Sequence, residues 1–359
     1  MKRHLGIDLL RIVSMFMVVI LHILGIGGIL ENVEYGSVNY VVFWGLETLC
    51  FVGVNCFALI SGYLMIKAKW RLKKLIYLWF QVLFYSVFLS VGAELIIGAE
   101  PVVPINALFP VATKSYWFFT AYVGLFLFIP LLNKGIHQLT KAELRYGIGI
   151  IFLIGSISIF SSSDPFNLYK GYSMIWLIFM YVIGAYIKLH ITIEELSVKK
   201  LMRSYLGVNA LSILLIIMST FNPIFNESKG ENWFIDYVSP LILSSSICLF
   251  ILFLKVETSN KVISKCVFSF SPFSFGVYLI HTHPIIFYFI LKNYFVDLAD
   301  TILIVSLMKV FAYGIFIYLV CTAIDFLRST LFSFIKLDVL VSFIEKKIQS
   351  VIENRLKIN

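Results

Sequence analysis

Long runs of apolar residues, broken by short polar clusters, dominate this chain. Ten such runs lie at roughly 9–29, 41–66, 74–98, 116–132, 146–161, 173–189, 204–221, 237–254, 274–292 and 301–325. A bilayer core needs about 20 apolar residues per helix. The pattern therefore predicts an all-α polytopic membrane protein with about ten transmembrane helices, the fourth and fifth being short. Breakers such as Gly98-Ala99-Glu100-Pro101, Ser163-Asp164-Pro165 and Asn222-Pro223 separate the runs. No internal repeat marks two related halves. Residues 1–327 read as one membrane domain, and 328–359 as an amphipathic, Lys-rich cytoplasmic tail.

Composition agrees with this reading. Hydrophobic residues make up 60% of the 359 positions and charged residues 14%, with a mean hydropathy of +0.93. A soluble domain is about 45–50% apolar and about 25% charged. The surplus apolar surface has to face lipid, so the lipid bilayer is the first partner. The net charge of +9 would suggest nucleic acid in a soluble protein. Here the basic residues fall between spans, and topology explains them instead.

One set of connections holds Lys67, Lys69, Arg71, Lys73 and Lys74, then Lys134, Lys141 and Arg145, Lys188, Lys199, Lys200 and Arg203, and Lys255, Lys261 and Lys265. The opposite set holds Lys114, Lys170, Lys229 and Lys292. That asymmetry predicts that both termini are cytoplasmic. The start, Met1-Lys2-Arg3-His4, opens an apolar run too long for a signal peptide and reads as an uncleaved first span. The five cysteines form no CxxC pair, so neither a disulfide framework nor a metal site is expected.

The first span carries the chemistry. In Arg11-Ile-Val-Ser-Met-Phe-Met-Val-Val-Ile-Leu-His22, a cation and a titratable ring bracket ten residues of which only Ser14 is polar. Eleven positions along a helix make three turns plus about 20°, so both side chains share a face, about 16 Å apart along the axis. Asp8 lies one turn before Arg11 and can pair with it. Arg11 could simply snorkel to the interface and His22 satisfy a core hydrogen bond. Ionisable groups inside a membrane nevertheless tend to mark function.

The Arg-x10-His pattern resembles the signature of the acyltransferase family 3 membrane proteins. Ile7-Asp8-Leu9-Leu10-Arg11 resembles that family's opening, and Val54 to Tyr63, ending in Ser61-Gly62-Tyr63, its second-span close. Lys67 to Lys74 resembles its basic loop, although Arg71 is the one arginine there. Tyr116-Trp117-Phe118-Phe119 resembles the start of a middle span, and Phe275-Gly276-Val277-Tyr278-Leu279-Ile280-His281 a late Gly-x-Tyr-Leu-x-His element. The resemblance covers nearly the whole chain. It implies transfer of an acyl group, often acetyl, from cytoplasmic acyl-CoA to a hydroxyl of a cell-surface or lipid-linked glycan. It also implies a bacterial plasma-membrane setting, with polysaccharide-assembly proteins as further partners.

Acyl transfer needs a base for the hydroxyl proton, an oxyanion stabiliser and a place for the anionic end of CoA. On the resemblance, His22 is the base and Arg11 holds CoA. Glu47, at the same expected depth of about 9 Å below the outer edge, is the candidate orienter of His22, with a place in a watery outer cavity as the alternative. Arg71, Lys73 and Lys74 are candidates for the phosphates. Ser61 is read as a close-packing or CoA-contact element. His281, expected about 10 Å in from the cytoplasmic side of the ninth span, would line the CoA path. Tyr116, Trp117 and Lys309 are candidate acceptor or oxyanion contacts. The competing reading is a transporter or flippase for a glycan or lipid. Direct attack in a ternary complex and an acyl-enzyme both remain open.

Overall fold

The computed structural model describes residues 3–97, 107–161, 163–221 and 233–356. The breakers at 98–101 and 222–223, and the tripeptide Asn226-Glu227-Ser228, lie outside them. Among the described residues the chain is helical throughout, with no strand. In order come α1 (Leu5–Leu24), the single turn α2 (Ile29–Asn32), α3 (Val38–Met65), α4 (Leu72–Ile97), α5 (Trp117–Gln138), α6 (Lys141–Phe160), α7 (Met174–His190) and α8 (Val198–Phe221). Then follow α9 (Pro240–Leu254), α10 (Lys261–Phe270), α11 (Ser274–His281), α12 (Leu303–Phe334) and α13 (Leu337–Leu356).

Among the described residues, eight helical segments are long and apolar enough to cross a membrane, and α7 and α9 are shorter apolar helices. The expectation about length is corrected here. The fourth and fifth spans, α5 and α6, reach 22 and 20 residues, while the sixth and eighth are the short ones. Polar ends had hidden the extra turns. In α6 the first turn, Lys141-Ala-Glu-Leu-Arg145, is held by a capping box. Thr140 Oγ1 accepts from the Glu143 backbone, and the Glu143 carboxylate accepts from the Thr140 backbone at 2.7 Å.

The larger correction concerns the ninth span. The stretch 274–292 is not one helix. A helical segment runs instead from Lys261 through α10, a 3-10 turn at Ser271–Phe273 and α11 to His281. The chain then turns, because Pro284 disfavours helical backbone at His283 and cannot donate to the next turn. A π-helical turn follows at Ile286–Leu291, and the backbone N–H groups of Asn293 and Phe295 close onto Ile26 O and Gly27 O. Lys261, Ser264 and Lys265 dilute the hydropathy of α10, so the sequence reads it as a loop. The consequence is a shift in depth: His281 ends the segment, 20 residues past its start.

Buried helix α3 is the centre of the bundle. Its close neighbour is α7, and the contact depends on two glycines. A Cβ on Gly62 would lie 2.1 Å from Tyr181 O, and one on Gly184 2.2 Å from Leu59 O. Small residues let membrane helices approach backbone to backbone, which gives Ser61-Gly62 its structural reason. Polar side chains tie the same helices. Asn55 is fully buried, accepts from Trp176 Nε1 at 2.9 Å and donates to Tyr237 O at 3.0 Å.

The bundle has a basic end. There Arg3 lies over the Phe268 ring, Asn133 bonds Met65 O, and Lys255 bonds Ile193 O. The tail helix α13 folds back at this end. Leu337 and Val341 are buried against Ile76, Tyr77 and Phe80 of α4. The long helix α12 runs unbroken past residue 327 and ends at Phe334.

Candidate functional site

A cavity of about 310 Å3 runs beside α1 and α3. Arg11 and His22 both line it, joined by Met15 and Val18 of the same helix face and by Val54, Phe57, Ile60 and Ser61 of α3. Ser271, Ser274, Phe275 and Tyr278 form a second wall, and Trp117, Phe118 and Tyr122 of α5 a third. Tyr172 and Tyr237, from the loops before α7 and α9, complete the lining. The helical rise puts Arg11 and His22 about 16 Å apart along this cavity.

Arg11 is held from below. Its Nη1 donates to Asp8 Oδ1 at 2.9 Å, and Asp8 is almost fully buried. Asp8 also accepts from Arg3 Nε at 2.9 Å and Ser271 Oγ at 2.8 Å. Two cations share one carboxylate, so a positive charge is left over at this mouth. The other donors of Arg11 have no partner among the described residues, and its side chain is 34% exposed. A fixed guanidinium with free N–H groups suits an anionic oxygen.

The geometry at His22 fixes its protonation pattern. His281 Nδ1 faces the carbonyl oxygen of Val277. A carbonyl only accepts, so the hydrogen of a neutral His281 sits on Nδ1 and its Nε2 is an acceptor. That Nε2 lies 2.9 Å from His22 Nδ1, which must then donate. His22 is left with a bare Nε2 lone pair, which has no partner among the described residues. A chain of two imidazoles ending on a backbone oxygen thus presents a base at the cavity. When Nε2 takes a proton, the bond from Nδ1–H to His281 holds the resulting imidazolium. Phe287 stands edge-on to the His22 ring, centroids 5.0 Å apart.

His281 is therefore the partner of His22 and lies far from the basic end, because the ninth helical segment starts 13 residues earlier than its hydropathy suggests. Glu47 makes no hydrogen bond to His22. It is buried in α3, and its Oε2 has no partner among the described residues. Of the other candidates, Ser61 and Trp117 line the cavity, and Ser61 Oγ bonds back to Phe57 O at 3.0 Å. Tyr116 is buried just behind it, its ring 6.0 Å from that of Tyr278. Arg71 and Lys74 are exposed at the basic end, outside the lining. Lys73 is engaged by the tail: Nζ bonds Asp338 at 2.7 Å and its backbone N–H bonds Glu345 at 2.9 Å. Lys309 is exposed on α12, away from the cavity.

The sequence reading missed Tyr122, Tyr172, Tyr237, Ser271 and Ser274. Tyrosines are common in the chain (19 of them), and no local pattern separates these from interface aromatics. At the end away from Arg11, Asp236 is mostly buried. Burial pushes its carboxyl up to about 7, against the opposing pull of Lys170 Nζ 3.7 Å away.

A membrane-embedded cavity with a fixed cation at one mouth and a lone-pair imidazole deeper in defines a polytopic protein able to do general-base chemistry. The family model for acyltransferase family 3, an acyltransferase domain, matches residues 4–326, which takes in Arg11, His22 and His281. The chain belongs to that family and is a membrane acyltransferase. No curated protein and no solved structure matches it.

Proposed function

We propose that the protein moves an acyl group, acetyl in the first instance, from cytoplasmic acyl-CoA to a hydroxyl of a cell-surface or lipid-linked glycan. It would do so as a multi-pass protein of a bacterial plasma membrane, with both termini and the basic end in the cytoplasm. The observation that carries the reading is the single cavity joining Arg11 to the bare Nε2 of His22.

In this reading the anionic end of CoA rests at the basic end, held by Arg11, with Arg71 and Lys74 in reach of the phosphates. Lys73 contributes where the tail releases it. The flexible thioester arm lies along Met15, Val18, Val54 and Phe57 and past Ser61. His22 Nε2 takes the proton of the acceptor hydroxyl as its oxygen attacks the thioester carbonyl. The tetrahedral intermediate expels the CoA thiolate, and His22 returns the proton to sulfur. Proton and charge balance with no further reactant. His281 holds His22 in the tautomer that this step needs. Direct transfer is favoured, since among the described residues no serine or cysteine hydrogen-bonds a ring nitrogen of His22.

The test is label transfer from acetyl-CoA to a panel of surface-glycan acceptors, with wild type and His22→Ala in nanodiscs. The reading requires that the variant binds acetyl-CoA and transfers nothing. If folded wild type fails to bind acetyl-CoA, the reading is wrong.

A further inference from the structure

The far mouth of the cavity has an unusual wall. Trp117 and Tyr172 have ring centroids 4.5 Å apart, Tyr172 and Tyr237 5.1 Å, and Trp117 and Tyr237 6.1 Å with the last pair near parallel at 28°. All three line the same cavity as His22. They come from three separate places: the head of α5 and the loops before α7 and α9.

This wall is fixed in position. The backbone of Tyr237 is held by the buried Asn55, itself anchored by Trp176. Gly171, at φ +95°, lets the loop carrying Tyr172 close on its neighbour, since a Cβ there would lie 2.5 Å from Tyr237 Cβ. Tyr172 keeps 45% of its surface exposed, so a ring stands open beside the cavity. Glu47 lies behind the wall and outside the lining, within electrostatic reach of both Tyr172 and Tyr237.

We propose that Trp117, Tyr172 and Tyr237 form a stacking wall that selects the acceptor by its ring. The ligand class is a pyranose. Its C–H face lies against the aromatic faces, while a hydroxyl reaches His22 deeper in the same cavity. A linear polyol offers the same hydroxyls with no such face. This inference rests on the function proposed above and adds the residues that choose the acceptor.

The experiment compares methyl β-D-glucopyranoside with sorbitol on the full chain in nanodiscs, for wild type, Tyr172→Leu and Tyr172→Phe. Binding is read first without acyl-CoA, by tryptophan fluorescence, so that it does not depend on transfer. Transfer from labelled acetyl-CoA is read second, and acetyl-CoA affinity verifies the fold of each variant. Wild type should bind the pyranoside in preference to sorbitol. Tyr172→Leu should weaken the pyranoside about tenfold and leave sorbitol unchanged, and Tyr172→Phe should retain the preference. Equal binding of ring and polyol by wild type, or a preference that survives Tyr172→Leu, overturns the stacking wall. Pyranoside binding without any transfer from acetyl-CoA would instead overturn the donor reading and leave the wall standing.

Discussion

Gly276 sits where α11 meets α12, and adding one methyl group there should be severe. A Cβ at this position would lie 2.0 Å from Asp325 Cγ and 2.4 Å from each carboxylate oxygen. Carbon contacts need about 3.5–4.0 Å, so the carboxylate must retreat by about 1.5 Å. It cannot do so and keep its partners. Tyr85 Oη donates to it at 2.8 Å, Gln81 Nε2 at 3.2 Å, and Arg328 through two bonds at 2.9 and 3.0 Å. Asp325 is fully buried and the Arg328 side chain is 5% exposed. Separating such a pair leaves a charge uncompensated in an apolar interior, at about 3–5 kcal/mol. The better helix propensity of Ala returns at most about 1 kcal/mol. Gly276→Ala should therefore destabilise by about 3 kcal/mol, a fall in Tm of about 6 °C, read by thermal unfolding in nanodiscs. Transfer activity should fall too, because His281 ends the same eight-residue helix. The mechanism has its own control. With Asp325→Ala already present the clash is gone, so adding Gly276→Ala should cost little further. A wild-type Tm for Gly276→Ala alone, or an equal loss with Asp325 removed, would refute the reasoning.

Arg11→Ala should raise the KM for acetyl-CoA at least about tenfold, as expected for a lost charge-assisted contact, and Arg11→Lys should recover only part of it; an unchanged KM would remove Arg11 from the donor site. His281→Phe deletes the acceptor that orients His22 and should lower kcat by about 10–100-fold at nearly constant KM, while His281→Gln keeps an acceptor oxygen and part of the rate; equal losses in both variants would exclude the tautomer argument. Asp236 binds its proton more tightly folded than unfolded, since its carboxyl is raised from about 4 to about 7. Stability should therefore fall as pH rises from 4 to 7 and level off above, and Asp236→Asn should flatten that slope in thermal unfolding; an unaltered slope would show that Asp236 is not its source.

Much of the architecture was legible because lipid imposes a simple rule on the chain. The runs at 9–29, 41–66 and 173–189 land on α1, α3 and α7 within a few residues, since in each the apolar run is about as long as the helix. The rule misled where a helix keeps polar residues in its first turns, as α6 does at Lys141 and Arg145 and α10 at Lys261 and Lys265. The candidate site divides along the same line. The shared face of Arg11 and His22 follows from helical geometry within one element, and both line one cavity. The partner of His22 depends on the register of two helices 259 positions apart in the chain, and a depth count from hydropathy placed Glu47 there and His281 elsewhere. Tyr172 and Tyr237 ride on loops whose folding has no periodic signal at all. Asp325 and Gly276 form a contact that no local pattern announces, though a glycine one turn before His281 invites the question of what crosses there.

The cavity beside α1 has a consequence for the membrane itself. On the function proposed above, a passage that admits a donor from one face and an acceptor from the other would be a potential leak for protons and ions. Its α1 and α3 side is walled by Met15, Val18, Val54, Phe57 and Ile60, none of which offers a hydrogen bond to water. Narrow apolar walls shed their water and so block ions without any moving gate. An uncharged thioester arm loses little by entering such a passage, while a hydrated ion loses its shell. The greasy stretch between Arg11 and His22 would in that sense be an insulator, keeping the barrier between the two compartments intact around the one reagent that the proposed reaction sends across it.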